Sequence, residues 1–314
     1  MLLTAALAAA FTAVVGRNDG SPLCALITGV TSARPWRPVV FLTAVTALIP
    51  LLGVVPVADT YRKLLGDGGT DHLAVVLVAT MMTLAAAAVI RAPTSVTLAV
   101  VGAATGARLA GGDADWPLVL RVLALAALGP MLAGACARVA RVVLGGLHPR
   151  HAGRWIEAAR RSGFVSAGLA YALNDGQKLF AVWAVTLAGI SDGDTCGRAV
   201  PYLVGAGAAA AFALGTWAGL RPSGRALRGG VVPPKPYQVV NVLWATALAV
   251  AAGSLAGAPV SMTQATVGAQ VGSVPGAEWR RVRWNAVGRI AAAWAWTLPV
   301  SLLCGLGGAL LIGN

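Results

Sequence analysis

Long runs without acidic or mixed charge constrain this chain more than any other feature. Residues 39–57, 72–90 and 199–220 contain no Asp, Glu, Lys or Arg, and the only charged residues in 117–144 and 284–312 are arginines. A helix needs about 20 apolar residues to cross the hydrocarbon of a bilayer, and each run is of that size. Over the whole chain charged residues make up 11% and the mean hydropathy is +0.75, whereas a soluble domain carries about a quarter charged residues. Water therefore cannot be the main solvent. The 39 glycines suit helices that pack closely in lipid, where small residues let backbones approach. The fold class expected is an all-α polytopic membrane protein.

The net charge of +13 would point to nucleic acid in a soluble protein. Here the basic residues fall between the apolar runs, so membrane topology accounts for them and nucleic acid is not an expected partner. Cys24, Cys136, Cys196 and Cys304 lie far apart with no CxxC, which suggests neither a disulfide framework nor a zinc site. The Ala-rich first ten residues lack the basic flank of a signal peptide and read as the start of the first span.

Three landmarks recur in order. Asn18-Asp19-Gly20 returns as Asn174-Asp175-Gly176, and Pro93-Thr94-Ser95-Val96-Thr97 as Pro259-Val260-Ser261-Met262-Thr263. Trp116 and Arg121, followed by Pro130, return as Trp284 and Arg289, followed by Pro299. Such order implies duplication. The expected domains are a first transmembrane repeat over 1–145, a cytoplasmic linker over 146–162 and a second repeat over 163–314. With about five crossings per half and both termini extracytoplasmic, the inside loops hold 16 of the 24 basic residues, and the outside loops, where Asp59, Arg62 and Lys63 are expected, hold seven of the 11 acids. That bias follows the positive-inside rule. An odd number of crossings inverts one half relative to the other, as in secondary transporters with helices broken at the midplane. The basic stretch 145–162, with His148 and His151, reads as a solvated loop.

Charged groups within membrane spans mark function or pairing. Asp19 and Asp175 each follow Asn and precede Gly, residue types that tolerate non-helical backbone. Each Asn-Asp-Gly is therefore a point of expected helix interruption, where Asn18, Asp19, Asn174 and Asp175 can form cation sites for Na⁺ or H⁺. The competing reading is a structural ion pair, either Asp19 with neighbouring Arg17, or Asp175 with Lys178 at i+3 on one helix face. The Pro-x-Ser-x-Thr segments read as half-helix starts, whose free amides and positive dipole end suit an anion. Thr94, Ser95, Thr97, Ser261 and Thr263 add hydroxyls suited to a tetrahedral oxyanion, although Ser and Thr also bond back to their own helix. Arg121 and Arg289 read as snorkelling to the headgroups, and Trp279 and Trp284 as an interfacial belt.

These residues resemble the inorganic phosphate transporter (PiT) family. Gly16-Arg17-Asn18-Asp19 is similar to that family's Gly-x-Asn-Asp signature, and Ala172-Leu173-Asn174-Asp175 is its second copy without the glycine. Asn174-Asp175-Gly176-Gln177-Lys178 looks like the Asn-Asp-Ala-Gln-Lys of bacterial members, and Pro259-Val260-Ser261-Met262-Thr263 like their Pro-Val-Ser-Thr-Thr-His. The resemblance implies phosphate symport driven by Na⁺ or H⁺, with the Asn-Asp pairs at cation sites. It further implies Thr94, Ser95, Thr97, Ser261, Thr263, Gln177 and Lys178 around phosphate. The chain departs from the family pattern at Leu98 and Gln264 in place of the closing histidines, at Tyr171 in place of another, and at Pro22 in place of an asparagine. It also lacks the family's large cytoplasmic loop.

The expected partners are inorganic phosphate, the lipid bilayer and, on assembly, a second copy in a homodimer, with no cofactor beyond the coupling ion and no metal beyond Na⁺ at the Asn-Asp pairs. The expected location is the plasma membrane. Sulfate or another oxyanion is the competing substrate, and a non-transporting accessory or sensor is the competing role. A membrane-embedded enzyme is disfavoured because HExxH, GxSxG and clustered His/Asp metal sets do not occur in the sequence.

Overall fold

A computed structural model describes residues 2–28, 34–53, 55–66, 68–89, 94–145, 152–191, 200–233 and 235–313. The described residues form helices and turns, with no strand among them. In the first half, α1 (Leu2–Val15) runs through a π-helical turn (Gly16–Gly20) into α2 (Ser21–Thr28). There follow α3 (Trp36–Leu48), α4 (Pro56–Leu65), α5 (Gly69–Val89), the half-length α6 (Val96–Gly111) and the long α7 (Trp116–Gly145). The second half follows a similar order with one helix fewer. Helix α8 (Ala152–Tyr171) runs through a second π-turn (Ala172–Gly176) into α9 (Gln177–Ser191). It continues with α10 (Val200–Gly229), α11 (Pro236–Leu255), the half-length α12 (Met262–Gly272) and the long α13 (Trp284–Ile312).

Five of these helices are long and apolar enough to cross a membrane, and a sixth span arises if α3 and α4, bent by 84°, count as one. The chain is a multi-pass membrane protein. The larger expected number of crossings counted the π-containing runs and the half-helices. At 1.5 Å per residue, α6 and α12 alone are shorter than the hydrocarbon core, which is about 30 Å thick. Polarity is distributed accordingly. Leu120, Leu128, Met131 and Leu303 face outward, while Asp19, Asp175, Lys178 and Asn174 are buried.

The halves interlock through glycines. On α6, a Cβ at Gly102 or Gly106 would strike Ser301 or the Leu302 carbonyl of α13. On α12, a Cβ at Gly268 or Gly272 would strike the Pro130 or Gly134 carbonyl of α7. The half-helix of each repeat thus lies backbone to backbone against the last helix of the other, through the same small-x-x-x-small spacing. The π-turns are exchanged likewise. Gly16 and Gly20 back onto Phe212 and Thr216 of α10, and Gly176 backs onto the Thr46 carbonyl of α3.

Three sequence expectations need correction. The helices are not interrupted at Asn-Asp-Gly: the chain stays helical and widens for one π-turn in each half. Asn, Asp and Gly all disfavour the regular helix, and here the freed polarity is taken up locally. Thr216 donates to the Gly16 carbonyl at 3.2 Å and Ser21 to the Arg17 carbonyl at 2.5 Å. Second, residues from Ala152 onward are helical, forming the start of α8 in place of the expected loop. Residues 146–151, including His148 and His151, lie outside the described residues, as does Pro93. Arg160 is 2% exposed, donates to the Ile27 carbonyl at 3.0 Å and pairs with Glu157, which also holds Arg161 at 2.6 Å. Third, Asp59, Arg62 and Lys63, expected in an outside loop, stand on α4. Its inner face is Val57, Ala58, Tyr61, Leu64 and Leu65, the spacing of an amphipathic helix.

Outside the spans, Glu278 joins Lys235, at 3.1 Å, and Arg281. Hydrogen bonds from Arg281 and then Lys235 hold its carboxyl below the usual glutamate range. Its contribution to stability is therefore complete above the unfolded-state pKa and is lost as pH falls through the lowered folded value. In detergent, Glu278→Gln is expected to flatten the acid limb of a melting-temperature profile, with a small amplitude because the pair is partly solvated.

The interlocking generates a sharper prediction. Gly106→Val and Gly272→Val should each lower the melting temperature, since overpacking costs about 1–3 kcal/mol. Gly288→Ala, with open space at its Cβ, should leave it unchanged.

Candidate functional site

The two π-turns present their Asn-Asp pairs to the two half-helix starts through equivalent bonds. Asn18 donates to the Thr94 carbonyl at 3.3 Å and to Asp19 Oδ1 at 2.9 Å. Asn174 donates to the Val260 carbonyl at 2.5 Å and to Asp175 Oδ2 at 3.1 Å. Thr94 and Val260 occupy the same place in the repeated Pro-x-Ser segments. Each asparagine therefore pins its aspartate and clips the π-turn to the residue just before a half-helix.

The serines that follow start those helices. Ser95 accepts from the Leu98 amide at 3.3 Å and Ser261 from the Gln264 amide at 3.4 Å, which makes both N-caps. As hydroxyls they still carry a proton to donate. Ser261 lies 3.0 Å from Thr263 Oγ1. Thr94 is buried and hydrogen-bonded to Thr297 of α13 at 2.5 Å.

The halves diverge in how the carboxylates are balanced. Asp175 and Lys178 are both fully buried and form an ion pair at 2.5 Å. The Lys178 ammonium also donates to Thr97 of α6 at 3.1 Å and stands 5.7 Å from the centre of the Tyr61 ring. Asp19 is 4% exposed and, among the described residues, has no basic side chain within ion-pair distance, while Arg17 points outward. Of the two structural ion pairs considered from sequence, only that of Asp175 with Lys178 forms. Asp19 nonetheless lies within electrostatic reach of both.

Gln177 is oriented differently from its neighbours. Its carbonyl oxygen accepts from the Val57 and Ala58 amides at 2.8 and 3.1 Å, capping the buried start of α4. Buried polar atoms in this region that find no partner among the described residues include Asn174 Oδ1, Gln177 Nε2, Gln264 Oε1, Thr46 Oγ1 and the hydroxyls of Tyr61 and Tyr171. Such atoms call for a water, ion or ligand. A largely apolar cavity of about 450 Å³ adjoins Gly176, lined by Thr46, Pro50, Leu179, Phe180, Trp183 and Phe212 among others. The charged side chains do not line it.

The fold thus brings the expected residues of both halves together across α6, α9 and the π-turns, with Thr263 half-buried on α12. Arg121 and Arg289 lie exposed on the outer surface, away from the buried groups. Sequence reasoning missed Tyr61, which the amphipathic spacing of α4 could have revealed, and Thr297, which carries no distinguishing sequence signal.

Residues 161–305 match the phosphate transporter family. The resemblance read from the motifs is borne out over that segment, which includes Asn174, Asp175, Gln177, Lys178, Ser261 and Thr263. A protein of Mycobacterium bovis named "Probable low-affinity inorganic phosphate transporter" is 34% identical over 145 residues, covering 46% of this chain and 34% of that one. A protein of the same name from Mycobacterium leprae is 29% identical over 217 residues, covering 67% and 52%. The chain thus spans between a third and about half of the length of these curated relatives. A solved structure named "The sodium-dependent phosphate transporter" superposes with a TM-score of 0.80 at 14% identity, covering 99% of this chain and 98% of that one. At that identity the likeness establishes the shared fold.

The capping role of Gln177 has a direct test. Gln177→Leu leaves two buried α4 amides unpaired and should lower detergent stability by about 1–3 kcal/mol with or without phosphate. A loss seen only when phosphate is present would instead place Gln177 on the substrate.

Proposed function

We propose that the chain is a secondary active transporter of inorganic phosphate in the plasma membrane, driven by a Na⁺ or H⁺ gradient. The observation that carries this reading is the pair of equivalent clips, Asn18 to Thr94 and Asn174 to Val260. They hold a buried carboxylate beside a serine-capped half-helix start in each repeat. A carboxylate away from water needs a cation, and a half-helix start offers amides and hydroxyls to an anion. Bringing both to one place lets cation and oxyanion offset each other's charge in a low-dielectric setting.

In this reading Ser95, Thr97, Ser261 and Thr263 with nearby amides receive phosphate, and Asn18 and Asp19 receive the driving cation. The names of the mycobacterial relatives and of the structural neighbour support phosphate as substrate and a transporter rather than an enzyme. The neighbour's name also makes sodium the first ion to test. The reciprocal exchange of half-helices between repeats supports an inverted-repeat arrangement, and the loop charge supports an orientation with residues 34–37 and 280–283 on the cytoplasmic side. Transport then proceeds by alternating access as one repeat rocks against the other.

Purified protein in proteoliposomes should accumulate labelled phosphate in preference to sulfate when a Na⁺ or H⁺ gradient is imposed. Asp19→Asn should reduce the rate about a hundredfold or more, the order expected when a buried charge loses its partner, while the protein still elutes as a folded species. Wild-type uptake by Asp19→Asn would sink the assignment, and absence of any gradient-driven flux would favour the accessory role.

A further inference from the structure

Resting on the transport reading above, we infer that Lys178 is a tethered counter-ion that permanently occupies the cation place of the second repeat, so that transport uses a single external cation bound at the first. The repeats match in their asparagine clips, serine caps and glycine contacts, but not here. The residue that follows Asn174-Asp175 by three positions is Lys178, and the equivalent residue after Asn18-Asp19 is Pro22. Proline carries no charge and no side-chain donor, so Asp19 is left to an external ion.

The geometry makes Lys178 a built-in part of the site rather than a passing partner. It is fully buried and grips Asp175 at 2.5 Å, while the other oxygen of Asp175 accepts from Asn174. Both carboxylate oxygens are thus engaged by the protein itself. The ammonium is further held by Thr97 at 3.1 Å and faces the Tyr61 ring, so residues from α4 and α6 of the first repeat enclose it. With Asp19 ionised, Asp19, Asp175 and Lys178 carry a formal net charge of minus one in the buried centre. One monovalent cation neutralises it. A second cation would meet an already balanced carboxylate.

The experiment compares wild type, Asp175→Asn, Lys178→Met and the double variant Asp175→Asn/Lys178→Met in proteoliposomes, with labelled phosphate and graded Na⁺ or H⁺. Wild-type uptake should rise in first order with the cation. Each single variant strands one buried charge and should lose activity about a hundredfold. The double variant removes both charges together and should recover to within about tenfold of wild type, again with first-order dependence, because a neutral replacement for a buried pair is well tolerated. A double variant that stays silent or fails to assemble while wild type transports would overturn the inference, as would second-order cation dependence in wild type. Melting temperatures of the four proteins separate this from failure of the transport reading. If no variant transports, a double variant restored in stability relative to both singles still upholds the closed pair, and additive losses overturn it.

Discussion

A carboxylate held away from water must be hydrogen-bonded and balanced, and this requirement organises the centre of the molecule. The regular helix offers Asp19 and Asp175 little help, since its amides and carbonyls are spent on one another. The π-turns change that. By widening the helix for five residues at each Asn-Asp-Gly, they turn the asparagine toward its own aspartate and toward a carbonyl on another element. The buried charge is therefore coupled to the start of a half-helix through one side chain. Aspartate and half-helix start are thus joined through one asparagine in each half.

Glycine makes that coupling possible by letting backbones meet. The exchange of α6 and α12 between repeats places each half-helix against the other repeat's last helix, and the π-turns against α10 and α3. Packed surfaces of this kind shift as rigid bodies rather than deform. The capping serines then reconcile two roles. Ser95 and Ser261 accept from their helices and keep a proton to donate, so stabilising the helix start does not remove the hydroxyl from a ligand. The first turn also leaves amides without intrahelical partners.

The general plan was legible because its causes are compositional. Charge-free runs specify a bilayer, and recurrence of Asn-Asp-Gly and Pro-x-Ser specifies two related halves. The form of the irregularity was not legible, because Asn, Asp and Gly say that a regular helix is unfavourable without saying whether the chain breaks or widens. Thr216 and Ser21 decide this by taking up the carbonyls of the first π-turn, and Thr216 lies 200 residues from Gly16. Helix α4 shows a different failure. Asp59, Arg62 and Lys63 looked like a loop, although Val57, Ala58, Tyr61 and Leu64 had helical spacing. Only the cap from Gln177, 120 residues from Val57, shows why that start can be buried.

The asymmetry of the two aspartates follows from the same distinction between local and distant causes. From sequence, Arg17 and Lys178 stood as comparable partners, each near an aspartate. A residue two positions away on a helix points to a different face, whereas one three positions away shares it. Arg17 accordingly points outward while Lys178 turns inward to Asp175. Its burial is then sustained by Thr97 and Tyr61, which belong to the other repeat. The two carboxylates match in their asparagine clips and differ at the position shared by Pro22 and Lys178. In the transport reading proposed above, that asymmetry leaves Asp19 as the carboxylate open to an external cation.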